Sequence, residues 1–270
     1  MRKLLAAVIL SLSLLFNMTA AFAVNPTIES VFEDAQFESG IIKAAYHSET
    51  GKMLKIMVDK DGKTIYYNLR NDGMVESFPL QFGNGDYKIS IMENVGGNKY
   101  KYLYTKNYKL DMENQNNVYL ASIQNINWNE DMAAIKKAKE LTKGLMGDQE
   151  KVKAIYDYIV NNFKYDYDKL SKLPTDYLPD INTTLATNKG ICYDYASTFA
   201  AMLRSVGIPA KLVKGYAKGV NGYHAWNEVY NSKTGLWETF DTTIDAQKKA
   251  AKVKYSMIKE SNVFSKVNEY

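Results

Sequence analysis

Cys192 is the only cysteine in 270 residues, and His224 is one of only two histidines. Asp241 follows the histidine by 17 positions. A thiol, an imidazole and a carboxylate in that order can carry out nucleophilic acyl transfer. The thiolate attacks a carbonyl, the imidazole moves the proton, and the carboxylate holds the imidazole. Cys192 stands where that chemistry needs it. Gly190 closes a loop just before it, and Ala196, Phe199, Ala200 and Leu203 then recur at helical spacing. Gly207 and Pro209 end that helix. A helix N-terminus favours a thiolate and offers unpaired N–H groups to an oxyanion. The competing reading of a single cysteine is a small apolar residue in a core. His47 reads as an ordinary half-buried residue.

The segments that must position these groups read as strands. They are Lys211–Tyr216 (KLVKGY), Tyr223–Tyr230 (YHAWNEVY) and Leu236–Asp241 (LWETFD), the last two joined by a turn ending at Gly235. With Tyr230 opposite Gly235, His224 falls opposite Asp241. Directly opposed side chains have Cβ atoms roughly 4.5–5.5 Å apart. A slip of one residue would put the two on opposite faces.

The segments GICYDYA, GIPAKLVKGY, HAWNEVY and GLWETFDTT resemble, in order and spacing, the successive motifs of the transglutaminase-like superfamily. The resemblance covers roughly residues 148–245. It implies an α+β fold with a papain-like core, in which a helix carrying the cysteine packs on an antiparallel sheet. It implies Cys192 as nucleophile, His224 as general base and acid, and Asp241 as the orienting carboxylate. It also suggests a side chain upstream of the cysteine that completes the oxyanion hole, for which Tyr165 is the candidate; a core tyrosine is the alternative. Two departures stand out. Thr242 follows the aspartate where the family often has proline, which should alter only the loop. The cysteine context, Cys-Tyr-Asp-Tyr, is similar to bacterial members and not to the animal cross-linking enzymes.

Upstream of the motifs, residues 131–145 and a helix capped by Asp148 carry apolar stripes, including Ile135, Ala138, Val152, Ile155 and Ile159, that suit a core. A long loop then runs to residue 190 and is placed to shape a substrate groove. Trp226 is a candidate for lining that groove, and core packing is the expectation for Trp237. Asp194 reads as a residue that caps the helix or fixes the loop. After Asp245 comes a basic stretch, followed by an edge strand or short helix.

Residues 24–127 read as a separate β-rich domain, with Gly-containing turns between short alternating runs. An antiparallel sandwich is expected, acting in packing or positioning; binding of substrate or cell wall through exposed tyrosines is the alternative. The catalytic domain is then 128–270. Residues 1–23 have the form of a cleaved signal peptide, with Arg2 and Lys3, an apolar run from Leu4 to Phe16 and a small-x-small site at Ala21–Ala23. The run is shorter than the ~20 residues of a span, and an uncleaved anchor is the alternative. A secreted or cell-wall-associated protein follows, with no transmembrane segment after cleavage. One cysteine makes no internal disulfide. Removing residues 1–23 takes away two positive charges and leaves 32 basic against 30 acidic residues. That balance argues against a nucleic-acid partner. One cysteine and two histidines do not make a zinc site, and no cofactor is called for. The expected partner is a protein or peptide substrate, including one attached to a cell wall. The activity expected is thiol-dependent acyl transfer to an amine. A cysteine peptidase or amidase, and a non-catalytic scaffold, are the alternatives.

Overall fold

A computed structural model describes residues 31–33 and 39–270. The signal-peptide expectation falls outside these residues. The chain has an α+β fold, built from antiparallel sheets and a helix-bearing core.

The N-terminal unit holds two antiparallel sheets. One contains β1 (Phe32–Glu33), β2 (Ile41–Ala44) and β5 (Glu76–Pro79). The other has the order β4-β3-β6-β7, from β3 (Leu54–Lys60), β4 (Lys63–Leu69), β6 (Gly85–Gly96) and β7 (Lys99–Leu110). Leu54, Ile56 and Val58 alternate into the core along β3, as a half-buried strand requires. Aromatic edges join the two sheets, Phe32 to Tyr108 and Tyr67 to Phe78.

Residues 115–126 lead to α1 (Ala133–Thr142) and α2 (Asp148–Asn162). The second helix begins at Asp148 with Gly147 as its cap residue, one position earlier than expected. The stretch to residue 190 is more ordered than a loop. It contains β8 (Lys164–Tyr165), α3 (Tyr167–Leu170), α4 (Ile181–Thr187) and β9 (Lys189–Gly190). Asp166 and Asp180 start the two helices by accepting N–H bonds from Lys169 and from Asn182 and Thr183.

Next come α5 (Cys192–Arg204), β10 (Ala210–Ala217), β11 (His224–Asn231), β12 (Leu236–Phe240) and α6 (Thr242–Ala250), then β13 (Ile258–Lys259) and β14 (Phe264–Glu269). The strands form one antiparallel sheet of order β13-β12-β11-β10-β14. Helix α5 lies against β10 and β11. The Asn227 amide fixes it there, donating to Ala196 O (2.9 Å) on the helix and Lys211 O (3.0 Å) on the neighbouring strand. Phe199 of α5 meets Tyr156 of α2 and Phe240 of β12 in a fully buried aromatic cluster. Removing such a ring costs about 3–5 kcal/mol.

The final strand shapes β10. Their pairing shifts register between Lys214 and Gly215, and a Cβ at Gly215 would sit 2.1 Å from Ser265 O. Only glycine lets the two backbones come that close. Across β11, Gly215 is the residue paired with His224. Among the described residues, no helix is long and apolar enough to cross a membrane.

Candidate active site

Cys192 is the first residue of α5, and the start of that helix is held by an unusual carboxylate. Asp194 is 0% exposed. Its Oδ2 accepts the Ile191 N–H (2.8 Å) and the Lys169 ammonium (2.7 Å), and its Oδ1 accepts the Tyr177 hydroxyl. Gly190 makes room for it, since a Cβ there would lie 2.6 Å from Asp194 Cβ. One side chain thus fixes the turn before Cys192 and two points of the 163–190 segment.

The parallel pair β8–β9 brings Tyr165 beside the cysteine. Lys164 N–H donates to Asn188 O (2.8 Å) and Asp166 N–H to Gly190 O (2.9 Å). Burial pushes the Tyr165 phenol up to about 12, and the negative charge of Cys192 adds to this.

His224 opens β11 and is 5% exposed. Its Nε2 meets Asp241 Oδ2 at 2.8 Å. Burial works against an imidazolium here, but the hydrogen bonds and charges of Asp241 and Cys192 outweigh it and push the His224 pKa up to about 10. The three groups singled out in the sequence lie together, since Asp241 and Cys192 both act on the imidazole, and Nδ1 is the ring nitrogen that Asp241 does not hold.

The contact arises differently from the expected hairpin. Tyr230 pairs with Trp237 and Asn231 with Leu236, a two-residue shift from Tyr230–Gly235. The four residues 232–235 form the loop, closed by the Thr234 and Gly235 N–H groups donating to Asn231 O. A shift of two keeps every side chain on its face, so His224 and Asp241 still meet, along a diagonal. Asp241 is also not the end of a strand followed by a loop. It is the N-cap of α6, where its Oδ1 accepts the Ile244 N–H (3.0 Å) while Oδ2 holds the imidazole. Thr242, in the position expected to alter only a loop, begins that helix. Farther along α6, Asp245 accepts from Tyr156 of α2 (2.6 Å) and from Lys259 of β13, which anchors the helix and so Asp241.

A cleft of about 620 Å³ opens on His224, bordered by Tyr165, Tyr167, Lys218, Asn221 and Gln247. Trp226 is not on it. Two residues along β11 from His224, it is 1% exposed, stacked behind the imidazole (6.3 Å between ring centres) and against Phe264 (5.0 Å). Strand alternation puts residues two apart on one face, and on this face the Phe264 ring, from β14 at the edge of the same sheet, packs against the indole. Trp237 packs on Tyr119 and Tyr230. His47 is exposed and hydrogen-bonds Asn71 O in the N-terminal unit. Among the described residues no group of His, Cys, Asp and Glu side chains could hold a metal ion.

Residues 135–242 match the family model of the transglutaminase-like superfamily. The match spans less than half of the chain, from α1 to the first residue of α6, and includes Cys192, His224 and Asp241. YebA of Bacillus subtilis, an uncharacterized protein, is 34% identical over 113 residues, which are 35% of this chain and 15% of that protein. The UPF0252 protein MJ1282 of Methanocaldococcus jannaschii is 38% identical over 76 residues, 26% of this chain and 22% of that protein. The chain therefore spans under a quarter of the length of either relative. Among solved structures, a candidate cysteine protease from Cytophaga hutchinsonii aligns over 85% of this chain and 79% of its own, with 19% identity and a TM-score of 0.47. The transglutaminase-like core accounts for the helix, strands and loops that carry the site. It leaves Lys214 unexplained: in the sequence it is one more lysine of KLVKGY, and what sets it apart is its seat on the Tyr193 ring near Cys192, whereas Lys211 pairs with a carboxylate.

Proposed function

We propose that the protein is a thiol-dependent enzyme that forms a Cys192 thioester from a peptide or protein amide. The observation that carries this is the buried His224–Asp241 pair at 2.8 Å beside a cysteine on a helix N-terminus. His224 takes the thiol proton, giving a thiolate and an imidazolium. The thiolate attacks the amide carbon, and the developing oxyanion is met by the Tyr165 O–H and N–H groups at the start of α5. The imidazolium then gives its proton to the departing amine. In the second half His224 activates the acceptor, which attacks the thioester and releases the thiol.

Water is the acceptor best supported, giving a cysteine peptidase or amidase. The reason is the position of Trp226. With this indole buried, the cleft edge is formed by Tyr165, Lys218, Asn221 and Gln247 and has no tryptophan wall to exclude water. Transfer to an amine is the second reading, favoured by the tilted Tyr165–Tyr167 pair (4.8 Å) on the same cleft, which presents ring faces to an incoming cation. Incubation with a quenched peptide library and with a fluorescent amine plus carrier protein separates the two. Cleavage without labelling supports hydrolysis, and labelling that depends on Cys192 supports amine transfer. Neither signal, with a Cys192 whose alkylation rate ignores His224→Ala, would sink both. The N-terminal segment 1–23 supports export, and a peptide or cell-surface protein is the matching substrate class.

A further inference from the structure

A second pocket, of about 280 Å³, shares no lining residue with the His224 cleft. Its walls come from both halves of the molecule. Tyr66 and Arg70 belong to β4 or follow it, Asp176 and Tyr177 lie in the 171–180 segment, and Tyr193 and Lys214 belong to the core. Tyr193 adjoins the nucleophile in sequence, and Tyr177 is held in place by Asp194.

Lys214 is the unusual member. Lys169, Lys211, Lys259 and Lys266 each pair with a carboxylate. Lys214 pairs with none among the described residues, and its ammonium rests on rings instead, 3.4 Å from the centre of Tyr193 and 5.3 Å from that of Tyr270. Burial brings its pKa down to about 8, against which the charge of Cys192 acts. An ammonium has three donors, and a ring face satisfies an ion only in part. The other charged groups on the pocket do not supply the missing anion. Arg70 is itself a cation, held by Asp72 at 2.8 Å, and Asp176 is an exposed rim residue with no ion pair to Lys214.

We propose that this pocket is a substrate subsite for a carboxylate, with Lys214 as the group that receives it while Cys192 attacks the neighbouring amide. This rests on the reading of Cys192 as a nucleophile. The tyrosines would cover the apolar part of the bound peptide, and the N-terminal sheet, through β4, would form one wall of the site. The carboxylate can be an acidic side chain or a chain terminus, since both present the same two oxygens to an ammonium.

The test compares alkylation of Cys192 by iodoacetate and by iodoacetamide at pH 7, followed by mass spectrometry, in the full chain and in Lys214→Met and Lys214→Arg. The two reagents differ by one negative charge, and any change in thiol reactivity cancels in their rate ratio. The ratio should fall about fivefold in Lys214→Met and be kept in Lys214→Arg. Protection of the wild-type thiol from iodoacetamide then identifies the source. N-acetyl-Ala-Glu-amide tests the side chain, N-acetyl-Ala-Ala with a free terminus tests the chain end, and N-acetyl-Ala-Ala-amide is the neutral control. At least one acidic peptide should protect more than the control. This arm uses only wild-type protein, so a misfolded variant does not decide it. An unchanged ratio in a folded Lys214→Met, or equal protection by all three peptides, overturns the proposal. Reactivity that depends on His224 but is blind to charge would remove this subsite and leave the nucleophile in place.

Discussion

Glu93 in the N-terminal unit and Asp194 in the core are both buried carboxylates, 2% and 0% exposed, and they do different things. Glu93 accepts from the hydroxyls of Ser48 (2.5 Å) and Thr50 (2.6 Å) and pairs with Lys101 (2.9 Å). Those partners hold it well below the usual carboxylate range, at about 2. They pin a surface turn to the sheet, and nothing beyond them is reached. The partners of Asp194 are the turn before Cys192, a residue of α3 and a tyrosine of the second pocket. Burial of a charge therefore does not by itself mark a site. What marks this one is what the held groups leave unsatisfied nearby: a thiol, an imidazole nitrogen and the Lys214 ammonium. The lysines show the same contrast. Lys55 and Lys88 lie over Tyr100 and Tyr102 on the N-terminal sheet, where Tyr102 is 57% exposed and water can finish their hydration. Lys214 over Tyr193 is half-buried, and the charge of Cys192 acts on it.

The strongest way to break this contrast is at the reacting groups. Cys192→Ala should abolish the acyl adduct, and His224→Ala and Asp241→Asn should each lower the acylation rate by about 10³–10⁴. Single-turnover acylation measures this, and a His224→Ala protein within tenfold of wild type would contradict the assigned roles. Tyr165→Phe removes one proton donor and little volume. A fall of about 10² in kcat with KM unchanged is expected, whereas a purely structural tyrosine would alter stability instead.

The two carboxylates give the next test. Asp194→Ala leaves the Ile191 N–H and Tyr177 hydroxyl without their acceptor and Lys169 without its partner, and should cost about 3 kcal/mol in urea unfolding together with activity. Glu93→Gln should cost about 1–3 kcal/mol and leave the acylation rate alone. Equal loss of activity in both would erase the distinction between the regions.

The smallest effects are in pH. Glu93 is depressed from 4.5 to about 2, so its contribution to stability is present above pH 4.5 and fades as pH falls towards 2. His224 is raised from 6.5 to about 10, so its contribution is present below pH 6.5 and fades as pH rises through 10. The difference in Tm between wild type and Glu93→Gln should therefore shrink in acid, and that between wild type and His224→Gln should shrink in alkali. The opposite trends would refute the two environments.

Much of this was legible because it is local. Alternation along β3 and β4, the helical spacing after Cys192 and the Gly207–Pro209 stop follow from side-chain direction and backbone preference, which depend on near neighbours. The unexpected order in 163–190 was missed because each of its helices is short and rests on a single capping aspartate, Asp166 or Asp180. Helix α6 was missed because its lysines mask a short buried face of Thr242, Thr243, Asp245 and Ala246.

The sequence by itself determined which groups could react and which strands would carry them, since a unique thiol, a histidine and an aspartate cannot be moved along the chain. Only the tertiary structure decided how they meet. The hairpin register, the diagonal His224–Asp241 contact, the burial of Trp226 and the isolation of Lys214 all depend on which surfaces pack together. A two-residue shift in pairing leaves the alternation pattern unchanged, and burial of an ammonium leaves no trace in its neighbours along the chain.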